Sequence, residues 1–222
     1  MIDLNERIML VDTETTNSLD DPICYDVGYV VFDLAGNIYE QGSMVNSDIF
    51  LDKEFMASAY YAEKIPQYWI DIWEKKRELL PWAKIKWRIF DACKRNNCHI
   101  VSAHNARFDY LSLNLTQRYI TTSKWRFFMP WGVEWWDTLK MCREVLGVDD
   151  TYKNWCIENG FMTANNQPRY TAEIVYRYIS NNLDFVESHT GFEDTMIEKE
   201  IFLYCVRQHP EINGALWNRK AA

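Results

Sequence analysis

Ile8-Met9-Leu10-Val11-Asp12-Thr13-Glu14-Thr15-Thr16 is the stretch from which the rest of the chain can be read. Its first four residues form a short apolar run of the kind that makes a buried strand. Side chains on a strand alternate between faces, so Asp12 and Glu14 share one face and Thr13 takes the other. Two carboxylates converging where a strand ends repel each other unless a cation lies between them. Magnesium suits such a place, because it takes one or two carboxylates, keeps waters and shares phosphate oxygens. Read alone, Asp-Thr-Glu after a strand is far more often a turn, since Asp and Thr are good turn formers.

Two later stretches bear on that choice. Cys98-His99-Ile100-Val101-Ser102-Ala103 reads as a second buried strand, and Phe108, Leu111, Leu115 and Tyr119 then recur at helical spacing. Asn105 is the expected N-cap of that helix. Asp109 falls in its first turns, close to where Asp12 and Glu14 emerge; as a simple helix residue it would complement the dipole. His104 reads as a hydrogen-bonded histidine at a strand end. Farther on, Thr190 and Glu193 match a capping box, with Ile197, Ile201, Tyr204 and Cys205 continuing an apolar face. Asp194 then lies in the first turns and His189 on the loop ahead. One helix start can thus carry both a metal ligand and a base that titrates near neutral pH. A lone histidine in that place is also an ordinary cap residue.

The ordered set Asp12, Glu14, Asp109, His189 and Asp194 resembles the DEDDh (DnaQ-like) family of 3'-to-5' exonucleases in the ribonuclease H-like superfamily. That family includes proofreading exonuclease domains, oligoribonuclease and ribonuclease T. Asp-Thr-Glu-Thr-Thr matches its first motif, Ala103-His-Asn-Ala-Arg-Phe-Asp109 its second, and His189-x4-Asp194 its third. The match runs from Ile8 to about Arg207. It departs at Asn17, where many relatives carry Gly, and over the stretch from Met44 to Cys98, which aligns with no particular member. Asn tolerates the left-handed backbone that a Gly there would adopt.

The resemblance implies a ribonuclease H-like fold: a mixed sheet, antiparallel in its first three strands and then parallel, flanked by helices. It implies release of 5'-nucleoside monophosphates from the 3' end of single-stranded DNA or RNA by a two-metal mechanism with Mg²⁺ or Mn²⁺. Asp12, Glu14 and Asp194 would hold one ion, and Asp12 with Asp109 the second. His189 would take the proton of the attacking water. Thr13, Thr15 and Phe108 would lie beside the terminal sugar. Asp137, before Thr-Leu-Lys, reads as a helix cap outside the metal site. Two alternatives stand beside this one: a non-catalytic module of the same fold that binds nucleic acid or a polymerase, and a structure-selective endonuclease.

Composition agrees with a single domain over 1–222, with its core at about 7–207 and a loose tail from Asn213. The chain is 48% hydrophobic, enough for one buried core. No apolar run reaches membrane-spanning length. The start lacks the regions of a secretory signal, and six cysteines without a Cys-x-x-Cys pair fit a reducing, cytoplasmic location. Cys93, Cys98 and His99 lack a fourth zinc ligand at matching spacing.

A net charge of −8 argues against a strong sequence-independent DNA binder, but catalytic carboxylates contribute to that total. Lys84, Lys86, Arg88, Lys124 and Arg126 are local candidates for phosphate contacts. Strands are expected near 7–13, 26–33, 37–45 and 98–103. Helices are expected near 52–62, 66–96 (with breaks at Pro66 and Pro81), 106–119, 138–146, 152–159, 171–183 and 191–207. The aromatic segment 125–136 is expected to pack over the core as an ordered loop, with a base-stacking lid or a partner surface as the alternative. Trp69 and Trp73, four apart on one helix face, are expected in the core.

Overall fold

The computed structural model describes residues 6–16, 20–148 and 150–217. Strands β1 (Arg7–Thr16), β2 (Ile23–Asp33) and β3 (Ile38–Asn46) form an antiparallel meander. Strands β4 (Glu78–Leu80), β5 (Ile100–Ala103) and β6 (Glu134–Asp137) join in parallel, giving the spatial order β4-β3-β2-β1-β5-β6. This is the mixed ribonuclease H-like sheet that the sequence implies.

Alternation along β1 divides the core between the two faces of the sheet. Ile8 and Leu10 pack with α6 (Thr138–Leu146), α7 (Asp150–Glu158), α8 (Ala172–Ser180) and α9 (Gly191–Gln208). Met9 and Val11 face α4 (Trp82–Arg95) and α5 (Arg107–Ile120). Short helices α1 (Ser47–Phe50), α2 (Lys53–Met56) and α3 (Ile65–Trp73), with a 3-10 turn at Ala62–Lys64, cover the start of β2 and the end of β3. Among the described residues, no helix is long and apolar enough to cross a membrane.

Several expectations need correction. Strand β1 does not end at Thr13 but runs to Thr16 with an irregularity between Glu14 and Thr15, while its ladder with β5 stops at Leu10–Ser102. The carboxylates therefore sit within a strand whose β5 side has become free. The helical stretch expected over 66–96 does start and break at Pro66 and Pro81, but it is also interrupted by Lys75, at φ 61°, and by the unexpected short strand β4. The helix expected over 52–62 shortens to α2, and α8 stops at Ser180 because Asn181 turns left-handed at φ 52°.

Trp69 and Trp73 do not enter the core. Trp73 is 83% exposed, while the buried face of α3 carries Tyr68 and Asp71. Among the aromatic residues from Trp125 to Trp131 only Phe128 packs inward, its ring centroid 4.8 Å from that of Trp82. Trp125, Phe127 and Trp131 are exposed, and Trp135 and Trp136 are buried in the unexpected strand β6. The tail from Asn213 is not loose as far as Trp217: Ala215 bridges Trp136, and Leu216 N–H donates to the Trp135 carbonyl. The edge of β6 offers free backbone groups, and the tail satisfies them. Asn17 and residues 218–222 lie outside the described residues.

Helix α9 crosses β2 at a point without side chains. A Cβ on Gly28 would stand 2.1 Å from the carbonyl carbon and oxygen of Gly191. Gly28 is the register partner of Asp12. Because the clash is with backbone, Gly28→Ala must push α9 off the sheet. The expected loss is at least the ~1–3 kcal/mol of core overpacking. At 2–4 °C per kcal/mol for a domain of this size, Tm should fall by roughly 5 °C or more in a thermal melt.

Candidate metal centre

The acidic groups converge on the end of β1 from both faces of the sheet. Thr13, on the α5 face, donates its hydroxyl to Asp109 Oδ1 at 2.9 Å and shares a 2.8 Å hydrogen bond with Ser112. Asp109, only 2% exposed, is thereby pinned against the strand. On the opposite face, ligand oxygens of Asp12, Glu14 and Asp194 all lie within 4.8 Å of one another. Asp194 is held by its own loop: Ser188 Oγ donates to Oδ1 at 3.0 Å and Thr190 N–H to Oδ2 at 3.0 Å.

The local devices at these helix starts differ from those expected. Asn105 does not cap α5; it takes the left-handed backbone at φ 62° and donates its N–H to Asp137 Oδ1 at 3.0 Å. Ala106 occupies the cap position without a side-chain bond. Thr190 stands at the N-cap position of α9, but its side chain bonds no backbone N–H there and no capping box forms. Its hydroxyl donates to Glu193 Oε2 at 2.7 Å, and Glu193 is drawn to Arg77 Nη2, also at 2.7 Å. Asp137 caps α6 through Leu139 N–H, and His104 is hydrogen-bonded to Thr138 and to the Tyr170 carbonyl, as their sequence settings suggest.

Burial without a balancing cation governs the electrostatics. It pushes Asp12 and Glu14 well above the usual carboxylate range, reinforced for Asp12 by Glu198, Asp109 and Asp194. Burial also raises Asp109 and Asp194, each to about 7. Asp12 Oδ2 is buried with no hydrogen-bond partner, as is Asp26 Oδ1 across the β1–β2 ladder. An all-oxygen donor set that includes a carboxylate with an orphaned oxygen fits a hard divalent cation.

Two acids escaped the sequence reading. Glu198 is 3% exposed, one helical turn beyond Asp194, and Glu198 Oε2 accepts from His104 N–H at 3.1 Å. Its spacing of four from Asp194 was visible, but only packing shows that this face of α9 meets β1. Glu187 lies beside His189 rather than within the acid cluster. Glu173, Glu187 and His189 form a second group whose ligand atoms also lie within 4.8 Å of one another. His189 is therefore a neighbour of the first cluster, not a member of it. Thr15 is buried, Phe108 is half-buried, and Thr13 has its hydroxyl committed to Asp109 and Ser112.

No protein-family model matches the chain, and no curated protein matches it in sequence. Solved structures do match its fold. Exonuclease X in complex with 5' overhanging duplex DNA aligns with a TM-score of 0.55 at 14% identity, over 92% of this chain and 94% of that one. E. coli exonuclease I in complex with a dA16 oligonucleotide gives 0.58 at 14% identity, over 92% of this chain and 41% of that one. Exonuclease I in its apo form gives 0.59 at 12% identity, covering 92% and 43%. This chain thus spans about two fifths of the length of exonuclease I. The fold is that of ribonuclease H-like exonucleases.

The raised carboxylates make a prediction about stability. A carboxylate whose folded pKa exceeds its unfolded value, about 4 for Asp, stabilises the fold below that unfolded value. The contribution is lost as pH rises through the folded value, here about 7 for Asp109 and Asp194. The ion-free protein should therefore lose stability between those limits, and Mg²⁺ or Mn²⁺ should restore it on the alkaline side. Thermal melts in chelator and in Mn²⁺ should show an ion-dependent rise in Tm that is small in acid and large above neutrality. Asp12→Asn should raise the Tm of the ion-free protein in alkali and remove most of that response.

Proposed function

We propose that the chain is a divalent-metal-dependent 3'-to-5' exonuclease that releases 5'-nucleoside monophosphates from single-stranded DNA or RNA. The observation that carries this reading is the convergence of Asp12, Glu14 and Asp194, one oxygen of Asp12 being buried without a hydrogen-bond partner. It lies where β1 has lost its β5 neighbour, toward the carboxyl ends of the parallel strands, the usual place for a ligand crevice in an α/β sheet. The shared fold with exonucleases X and I supports the same reading.

Asp12, Glu14 and Asp194 would hold one ion, and Asp12 with Asp109 a second. Bound divalent ions would neutralise charge at the phosphate and favour ionisation of water. The chain's own residues supply the rest. Thr13 fixes Asp109 in place, and Ser188 and Thr190 fix Asp194. His189 would accept the proton of the attacking water; burial and the nearby Lys64 ammonium lower its pKa, keeping the imidazole neutral and able to accept. The leaving 3'-oxygen takes a proton from solvent. Thr15, the Thr13 backbone and Phe108 would border the terminal sugar. Tyr60, exposed and edge-on to Tyr61, offers a face on which a base can stack.

End-labelled single-stranded DNA and RNA oligomers test the proposal. A ladder shortening from the 3' end is expected with Mg²⁺ or Mn²⁺ and none in chelator, with Ca²⁺ binding but supporting little turnover. Internal cuts would favour an endonuclease, and binding without cleavage a non-catalytic module. Full activity in chelator would sink the metal mechanism. His189→Ala should keep ion affinity and lose about 10²–10⁴-fold in turnover, partly recovered at high pH where hydroxide replaces the base. Asp194→Asn should lose ion binding in a calorimetric Mn²⁺ titration and show no such recovery.

A further inference from the structure

His189 occupies a built seat. Its backbone is left-handed at φ 51°, an uncommon conformation for a residue with a side chain. The ring stacks on Tyr61, with centroids 4.4 Å apart and planes 10° from parallel. Lys64 Nζ donates to the Ser188 carbonyl, tying the preceding residue to the same segment. On the remaining side, Glu187 Oε2 lies 3.8 Å from His189 Nδ1.

The backbone that carries this carboxylate is itself held. Glu173 accepts Glu187 N–H at 3.1 Å through Oε2, while its Oε1 pairs with Arg177 at 2.7 Å. Glu173 is thus occupied by backbone and by a cation. Glu187 keeps its carboxylate for the imidazole, the one ion-pair partner it has among the described residues. It is mostly buried, and it touches electrostatically both His189's surroundings and Asp194 of the acid cluster.

We infer that Glu187 is a positioning residue for His189: its carboxylate keeps the proton on Nδ1 and leaves Nε2 as the accepting nitrogen, while Tyr61 holds the ring plane. A carboxylate behind an imidazole selects the tautomer and stabilises the imidazolium formed when the other nitrogen takes a proton. No atom of Glu187 is required at the phosphate. The inference rests on the reading of His189 as the proton acceptor.

Two measurements on the full chain with Mg²⁺ test it, at a pH above the value of about 8 to which burial, Asp194 and Glu173 push Glu187. The charged groups facing His189 there are Lys64, Glu63, Glu173 and Glu187. Imidazole ¹⁵N shifts, assigned to His189 by comparison with His189→Gln, report the tautomer. The expected wild-type state is Nδ1–H, and Glu187→Ala should move the population toward Nε2–H. Turnover on an oligonucleotide should fall about 10–100-fold in Glu187→Ala, less than in His189→Ala, with KM and Mn²⁺ affinity unchanged. Glu187→Gln, which keeps the shape, should fall nearly as far, whereas Glu187→Asp should recover part of the loss. An unchanged tautomer, or wild-type turnover in both Glu187→Ala and Glu187→Gln, overturns the inference. A wild-type protein that binds Mn²⁺ but cleaves nothing overturns the exonuclease reading instead, and the tautomer measurement still decides whether Glu187 seats the ring.

Discussion

Everything at the acidic end of β1 depends on how closely α9 can approach the sheet. The contact is backbone on backbone. Gly28 and Gly191 meet where any Cβ would collide, and a Cβ on Gly191 would also come within 3.1 Å of the Asp12 carbonyl. Gly191 N–H donates to Asp26 Oδ2 at 2.9 Å, so the first turn of the helix is fastened to β2 as it arrives. With Asp12 opposite Gly28 and Glu14 opposite Asp26 in the register, this contact sets Asp194 against both carboxylates. A side chain at either glycine would collide with backbone and push the start of α9, and Asp194 with it, away from β1 and β2.

The parts of this arrangement that were legible in the sequence are those in which local chemistry and final structure agree. Ile8–Val11 is a strand by composition and remains one in the core; Asp12 and Glu14 share a face because strands alternate. The cap at Asp137 follows from residues within a turn of each other, and α9 starts after Thr190 as expected although the box that announced it does not form. Asn105 shows how a local signal can be right about the residue and wrong about its use. Its tolerance of left-handed backbone is spent on turning the chain out of β5, so it cannot also cap α5.

What was hidden depends on tertiary neighbours. Glu193 satisfies the spacing of a capping box, yet a buried arginine more than a hundred residues away outcompetes the backbone for its carboxylate. Trp69 and Trp73 form a stripe, but α3 turns Tyr68 inward to Asp26, to whose Oδ2 it donates at 2.6 Å. A stripe in the sequence does not say which side of a short helix meets the core. Strand β6 is seeded by few residues and becomes a strand because β5 on one side and the chain at Ala215 on the other satisfy its backbone. Glu187 and Glu198 carry no motif; their importance lies in what they face.

The distribution of charge separates acids paired with a cation of the chain from acids that are not. Arg77 is almost wholly buried and gathers Asp71 at 3.0 Å, Glu193 at 2.7 Å and Asp26 at 3.5 Å, with Ser43 as a fourth partner. That guanidinium ties β2, α3 and the start of α9 together, and its five donors suit such a junction. By contrast, Asp12, Glu14, Asp109, Asp194 and Glu198 make no ion pair with any described side chain. A buried anion left unpaired is costly, and a fold under selection for stability alone would neutralise it or replace it with apolar groups. Here the chain supplies a cation for the acids that hold α9 in place and none for the acids that α9 brings together. A divalent ion held as proposed above would supply that positive charge from outside the chain, and would then act on folding and on chemistry at the same point.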